Sequence, residues 1–483
     1  MSKAPKNIIP PLFSVPSLAY DAVTLSAALE SGAVTASDVV AGSLARIAAG
    51  NEALGAFVHV DAEYAQAAAR ASDERIATGA RLGPLDGIPV SVKDNLWVSG
   101  MPANWGSRMW ADFIPPADDI VVERLKAAGA VIIGKTNTPE FAFSGRTDSP
   151  LHGPARNPWD KTLTPGGSSG GAVACVAAGM TPFAIGTDAG GSTRLPASYT
   201  GLFGLRPSNG RIPRRYGFPP IALDCQAIGL FARTLTDLEM LYNAVSGPDP
   251  RDRSSQSRDL EPISPSAGKP IRIGWFNSHG AEAVDTEVAA AVHECAELLS
   301  RAGYEVVKCE APYDITAIRE IWTAVTSAGV ARAAGIHPDR WADEASGPIA
   351  TAARRGFAMN ATEFVIALDR LAKFRQDVAD AWGAVDVFLC PSAAAPAWPL
   401  DDIFPVEVGH KPGHTFVQST FATWVNAIGH PGLSIPVRPH ADGRPLGIQL
   451  VGRMGGEGLI FDVTHSLVAA ATWILPDFPD IAL

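Results

Sequence analysis

Residues 164–206 read TPGGSSGGAVACVAAGMTPFAIGTDAGGSTRLPASYTGLFGLR, and the reading of this stretch decides the fold. It holds two Gly-Ser clusters, Gly166-Gly167-Ser168-Ser169-Gly170-Gly171 and Gly190-Gly191-Ser192. Thr187-Asp188 precedes the second and Arg194 follows it. The alanine-rich segment joining them, residues 172–185, is shorter than the roughly 18 apolar residues of a membrane span. Gly179 and Pro182 interrupt it, so it reads as a buried helix followed by a strand. Glycine lets the backbone take positive φ and bring N–H groups close to a bound atom. A serine beside such glycines is either a turn residue or a nucleophile.

Outward from this stretch the chain alternates helices, turns and apolar strands, the habit of α/β proteins. Residues 23–47 and 62–77 have helical periodicity, with Thr35 and Asp38 placed as a capping box. Gly83-Pro84-Leu85-Asp86-Gly87 marks a turn. A short strand ending in Lys93-Asp94-Asn95 follows, then a helix over 121–128 and a strand over 131–135. On the other side, residues 247–271 read as a polar surface connection. Strand 271–275, helix 288–301 and strand 304–307 form a β-α-β unit. Residues 316–382 are mostly helical and 385–389 a strand. Residues 415–428 read as an aromatic-bearing helix, 433–437 and 446–451 as strands, and 459–471 as a last helix. Residues 1–20 read as an irregular lead-in. No composition break divides the 483 residues into independent domains.

The formal net charge of −11 argues against nucleic-acid and anionic-membrane partners, which call for a basic face. Five scattered cysteines without a C-x-x-C pair indicate a reducing compartment, so the expected location is cytoplasmic. The proline-broken N-terminus does not read as a signal peptide. The ten histidines form no ligand cluster: His410 and His414 flank Pro412-Gly413 and read as loop residues. Neither a metal nor a cofactor is expected. The glycine clusters lack the spacing of a P-loop or a dinucleotide fingerprint.

Three readings of the serines remain. Residues 167–171 satisfy G-x-S-x-G, which would make Ser169 or Ser168 the nucleophile of an α/β-hydrolase elbow, with His430 as a nominal partner. In Thr187-Asp188-Ala189-Gly190-Gly191-Ser192, small residues can present several N–H groups to one point beside a serine, as an oxyanion hole requires. The same cluster also fits a glycine turn with a capping serine. A serine nucleophile needs a base. Lys93 ends an apolar strand, where burial would favour the neutral amine, although a lysine there also fits a strand end reaching solvent.

These residues together resemble the amidase signature hydrolases. The resemblance is carried by the two Gly-Ser clusters, Pro89 to Asn95, Gly134-Lys135-Thr136-Asn137-Thr138-Pro139-Glu140, Arg156-Asn157-Pro158-Trp159, and Gly229 to Thr234. Near the end, Gly429-His430-Pro431-Gly432 to Pro436 and Leu446 to Gly452 match as well. It is dense over about 83–234 and thin over about 254–383. The resemblance implies an α/β fold of one large domain, here residues 1–483, with a mixed central β-sheet covered by helices. Its signature core would span about 83–234 and a variable helical region about 310–383. It further implies a Ser-cisSer-Lys triad in which Ser192 is nucleophile, Ser168 the bridging serine after a cis peptide, and Lys93 the base. Oxyanion donors fall on the backbone of Ala189, Gly190, Gly191 and Ser192, with Ser169, Asp188 and Arg194 in support. Ala189 and Thr193 depart from the residues many relatives carry there.

The expected activity is hydrolysis of an amide C–N bond through an acyl-serine. Aromatic residues flanking the signature (Met101, Trp105, Phe141 and Phe143 in loops, Phe416, Thr420 and Trp424 in the late helix) are candidates for an apolar pocket taking an aryl or alkyl amide, anilide or carbamate. A helical apolar stripe is as readily core. The competing functions are a glutamine-amidase subunit of a tRNA-dependent amidotransferase and a serine esterase of the α/β-hydrolase type. The expected partner is a small-molecule amide; the oligomeric state stays open between monomer and homodimer.

Overall fold

The computed structural model describes residues 21–256 and 270–471, with residues 473, 478 and 479. The lead-in over 1–20 and most of the polar connection, residues 257–269, lie outside the described residues. One sheet of 11 strands crosses the molecule. In chain order its strands are β1 (Phe57–Val60), β2 (Pro89–Lys93), β3 (Val131–Thr136), β4 (Phe183–Asp188), β5 (Phe203–Arg206), β6 (Ala227–Ala232), β7 (Arg272–Trp275), β8 (Glu305–Lys308), β9 (Val387–Pro391), β10 (Gly432–Val437) and β11 (Leu446–Gly452). Their spatial order is β1-β3-β2-β4-β6-β5-β10-β11-β9-β7-β8. β3-β2-β4 and β9-β7-β8 are parallel runs, and antiparallel pairs join them through the middle. The sheet is therefore mixed, as expected.

The parallel run β3-β2-β4 has the sequence character of strands covered on both faces, near-continuous apolar residues rather than alternation, whereas the edge strand β8, Glu-Val-Val-Lys, has no buried residue. All residues of β2, β3, β4, β6, β10 and β11 are buried. A single large core cluster runs from Ala22 to Leu467 along the sheet. The connecting segment of the Gly-Ser stretch is a helix, Gly170–Ala177, followed by β4. The β-α-β unit is β7, helix Thr286–Arg301 and β8, with parallel strands.

Two readings need correction. The continuous helical pattern over 23–47 is two helices, Ala22–Glu30 and Ala36–Leu54, separated at Gly32, whose φ is +71°. Thr35 and Asp38 then form the capping box of the second helix. The stretch 415–428 is not one helix either. A 3-10 turn, Val417–Ser419, precedes a short helix, Thr423–Ile428. Phe416 and Trp424 therefore do not share a continuous helical face.

The topology places the serine clusters. β2 and β4 are parallel neighbours (Val90 pairs with Phe183, Val92 with Ile185), so Lys93 and Asp188 end adjacent strands at the same edge of the sheet. Ligands of open α/β sheets bind beyond such carboxyl ends.

Candidate active site

Beyond the end of β2, Lys93 is wholly buried. Its Nζ lies 2.8 Å from Ser168 Oγ, 2.9 Å from Ser169 Oγ and 3.2 Å from Thr187 Oγ1. Ser168 Oγ lies in turn 3.0 Å from Ser192 Oγ. Three side chains from three parts of the sequence thus form one hydrogen-bonded row. Ser168 is 2% exposed and Ser192 9%. The Gly167–Ser168 peptide is cis, as the resemblance implied.

No carboxylate pairs with Lys93 among the described residues. Burial drives its pKa well below the ordinary lysine value; Asp188 pulls it back up and Arg214 pushes it further down. Nζ donates in all three contacts, and the Ser168 hydroxyl donates onward to Ser192 Oγ. The Ser169 hydroxyl donates to the carbonyl of Thr187 at 3.3 Å, leaving its oxygen to accept. Thr187 Oγ1 accepts from Asn95 Nδ2 at 3.0 Å.

The second cluster turns sharply after β4. The Asp188 carboxylate accepts from Gly191 N at 2.7 Å and Thr193 N at 3.1 Å. It also accepts from Arg194 Nε at 3.1 Å, Arg194 Nη2 at 3.2 Å and Asn426 Nδ2 at 2.8 Å. Burial pushes its carboxyl up, but the Arg194 charge and these donors outweigh that and hold it well below the usual carboxylate range. Arg194 is fully buried and reaches further, to Ala422 O, Gln449 Oε1 and Asn426 Oδ1. This arrangement alters the expected oxyanion set: the Gly191 N–H is already given to Asp188. The N–H groups of Ala189, Gly190 and Ser192 make no hydrogen bond with the described residues.

Glycine is required at Gly171 and closely fitted at Gly190. A Cβ on Gly190 would stand 3.0 Å from Trp322 Cζ2, and one on Gly171 would stand 2.3 Å from Asn137 N and 2.5 Å from Ala56 O. Trp322 comes from helix Ile315–Ala334, in the region of thin resemblance, and nothing in its sequence neighbourhood singled it out. With Ile315, Ile318, Phe416, Thr420 and Thr423 it lines a narrow cleft, and Thr423 Oγ1 is 3.5 Å from Gly190 O. Thr187, Asn95 and Asn426 were also missed as partners of the buried groups. A hydroxyl or amide next to an acid in an apolar strand was the available signal for Thr187.

Of the candidate pocket residues, Phe416 and Thr420 line this cleft. Four others are interior. Met101 belongs to the main core. Trp105 stacks on Phe218 at 4.6 Å and packs on Phe141. Trp424 stacks on Tyr313 at 5.0 Å and donates to Phe421 O. Phe143 is half-buried beside the Trp105 cluster. The physical reason is area: large aromatic side chains gain most when wholly buried.

All five cysteines are unpaired. Among the described residues no helix is long and apolar enough to cross a membrane, and no group of three metal-binding side chains comes together.

Comparison with known proteins agrees with this architecture. The chain is 36% identical to a glutamyl-tRNA(Gln) amidotransferase subunit from Anaeromyxobacter sp. (strain K), over 90% of this chain and 93% of that protein. A structure of 6-aminohexanoate cyclic dimer hydrolase complexed with substrate superposes with a TM-score of 0.82 at 26% identity, covering 96% of this chain and 100% of that one. A bacterial aryl acylamidase shares the fold with a TM-score of 0.85 at 23% identity, over 94% and 96% of the two chains. The Amidase family matches residues 38–461. With that match and this sheet, the chain belongs to the amidase signature family, enzymes of amide C–N chemistry.

Proposed function

We propose that this protein is an amide hydrolase in which Ser192 is the nucleophile, Ser168 the proton relay and Lys93 the base. The observation that carries the reading is the row Lys93 Nζ–Ser168 Oγ–Ser192 Oγ, at 2.8 and 3.0 Å, ending on a buried lysine that has no ion-pair partner among the described residues. As Ser192 Oγ attacks the amide carbonyl, its proton passes to Ser168 and the Ser168 proton to Lys93. The oxyanion meets the N–H groups of Ala189, Gly190 and Ser192, each such donor contributing about 3 kcal/mol in comparable sites. Collapse breaks the C–N bond, and the amine leaves with the proton returned through the same row. Water then attacks acyl-Ser192 by the same relay, releasing the carboxylate and restoring the serine.

The cleft beside Gly190 holds only about 10 Å³, room for a single water, so what supports an uncharged, apolar acyl or aryl group is the character of the side chains that would have to part for it. Its walls are Trp322, Ile315, Ile318 and Phe416. The only charged side chain lining it among the described residues, Arg319, is committed to Glu282 at 2.9 Å. Glutamine carries an ammonium and a carboxylate, and this cleft offers neither an unpaired acid nor an unpaired base. A second reading, a glutamine-amidase subunit working with partner proteins, is favoured by the similarity to amidotransferase subunits. The five unpaired cysteines fit a cytoplasmic setting for either.

The test is a panel of aryl amides, anilides, carbamates and glutamine, with mass detection of an acyl adduct on Ser192. Ser192→Ala is expected to abolish turnover and adduct together, and Trp322→Ala to change the preference among acyl groups. Full activity in Ser192→Ala, or collapse confined to Ser169→Ala, overturns the assignment. Turnover of glutamine above all other amides selects the second reading.

A further inference from the structure

We propose that the cavity beneath the loop 209–220 is a binding subsite for a carboxylate carried on a flat apolar body. The cavity holds about 660 Å³, the size of small-molecule sites, and is lined by Arg214, Arg215, Arg375, Tyr216, Phe218 and Asp224 among others. In a chain of net charge −11, the described residues lining the cavity include three arginines and a single carboxylate. Arg375 is committed, bonding both oxygens of Asp224 and the carbonyl of Ala427. The guanidiniums of Arg214 and Arg215 make no hydrogen bond among the described residues, Arg214 having only a long ion pair to Asp119 and Arg215 the face of Tyr216.

The Arg214 guanidinium makes no hydrogen bond with the described residues, and its buried Nε lacks a partner. The nearest carboxylate, Asp119, gives Oδ1 to the N–H groups of Arg215 and Ile120, while its buried Oδ2 makes no hydrogen bond and stands 3.9 Å from Arg214 Nε, a long ion pair that leaves both Nη atoms of Arg214 unbonded among the described residues. Arg215 is exposed and lies over the Tyr216 ring at 4.7 Å. An unfilled guanidinium fork is built for bidentate contact with a carboxylate. The aromatic faces beside it suit a ring or chain rather than a bare ion.

The cavity adjoins the Ser192 loop. Its wall residue Gln226 leads into β6, whose Ala227 pairs with Asp188, next to Ala189. Ala189 and Leu223, another wall residue, pack on the same apolar cluster. The carboxylate can come from two sources, an acidic amide substrate or the acid released by hydrolysis.

Binding is measured first, independently of any reaction. Phenylacetate and its neutral counterpart phenylacetamide are titrated into the full chain by calorimetry. Quenching of Trp97, which stacks on Tyr216 at 5.9 Å, locates the ligand, with Trp97→Phe as control. Phenylacetate is expected to bind at least tenfold more tightly than phenylacetamide. Arg214→Gln is expected to weaken it at least tenfold and Arg215→Gln about threefold. Should Arg214→Gln fail to fold, Arg214→Lys, which keeps the charge but loses the fork, and the surface variant Arg215→Gln carry the test. Equal binding of the two ligands, or folded variants that bind phenylacetate like the parent, overturns the subsite.

The second arm rests on the proposed amide hydrolysis and compares succinanilic acid with its methyl ester. A substrate-borne carboxylate shows as a tenfold fall of kcat/KM in Arg214→Gln for the acid alone. A product-borne one shows as a tenfold rise of the product inhibition constant with kcat/KM unchanged. If neither occurs, the link to turnover is wrong. If no amide is cleaved at all, the proposed reaction fails while the binding arm still decides the subsite.

Discussion

Asp188→Asn is the most searching single change in this molecule, because one carboxylate holds both a buried cation and the turn that carries Ser192. Its oxygens take hydrogen bonds from Gly191 N, Thr193 N, Arg194 Nε, Arg194 Nη2 and Asn426 Nδ2. Asparagine has nearly the same shape but one acceptor oxygen. Its amide nitrogen must then face donors, either Gly191 N or Thr193 N among them. Arg194, with no exposure to water, loses its counterion. Breaking one side of such a buried pair costs about 3–5 kcal/mol. The loosened turn also displaces the free N–H groups of Gly190 and Ser192, and a lost oxyanion donor costs about 10²–10³ in kcat.

The assay pairs urea unfolding with steady-state kinetics on the best amide of the panel. Expected are a stability loss of about 3–5 kcal/mol at pH 7 and a fall in kcat of at least about 100-fold, with KM little changed. The sign with pH follows. The Asp188 pKa is depressed in the folded chain, so its stabilisation is complete above the unfolded carboxylate value, about 4. It fades as pH falls below that, and the gap between parent and variant narrows. A stability loss under about 1 kcal/mol, far below that of a broken buried pair, with kcat within threefold of the parent, would refute the reasoning.

Other predictions follow from single groups. Lys93 is depressed in the folded chain, so the unfolded chain binds the extra proton near neutrality. Stability of the parent should then rise with pH toward about 10.4, and a folded Lys93→Met should lack that slope. Activity should likewise rise as pH passes the lowered value; a profile falling from neutral to alkaline pH in folded enzyme counts against Lys93 as base. The Asp237 carboxyl is pushed up to about 7 by burial and by Asp21 beside it. Folding therefore favours its protonated form, and Asp237→Asn should melt higher than the parent above pH 7 and no differently below about pH 4. Gly171→Ala would gain up to about 1 kcal/mol on helix propensity alone. Backbone atoms of Asn137 and Ala56 stand in the way of the Cβ, so a net loss of about 1–3 kcal/mol is expected from thermal or urea unfolding.

Much of the sheet was legible because buried parallel strands announce themselves as short apolar runs between glycine turns. β2 and β3, and likewise the buried antiparallel strands β10 and β11, lie within a residue or two of their expected places, while β4 runs to Asp188, three residues past the expected apolar segment. Lys93, Ser168 and Ser192 are set together by the resemblance of their motifs to the amidase signature hydrolases; the residues alone leave Ser168, Ser169 and Ser192 all open as nucleophile and Lys93 open as a strand-end lysine. The cleft was not legible. Trp322 faces Gly190 only through the packing of a long helix whose own sequence is an ordinary alanine-rich pattern. Trp105, Phe141 and Trp424 were drawn into the interior by their size, which a one-dimensional pattern of aromatics does not distinguish from a pocket wall. The donation of the Gly191 N–H to Asp188 depends on a loop geometry that glycine permits but does not specify.

Arg194 has a consequence for how the protein comes into being. Its acceptors lie at residues 188, 422, 426 and 449, so the two most distant are separated by more than half the polypeptide. On a ribosome both Gly-Ser clusters emerge long before β11 is made. Until then the guanidinium has found only Asp188 of its four partner residues. A product cut short before residue 422 carries every serine and lysine of the reactive row and still lacks what seats them. The arginine thus makes chemical competence a report on the integrity of the whole chain, and a nick or truncation far from Ser192 in sequence is felt beside it in space.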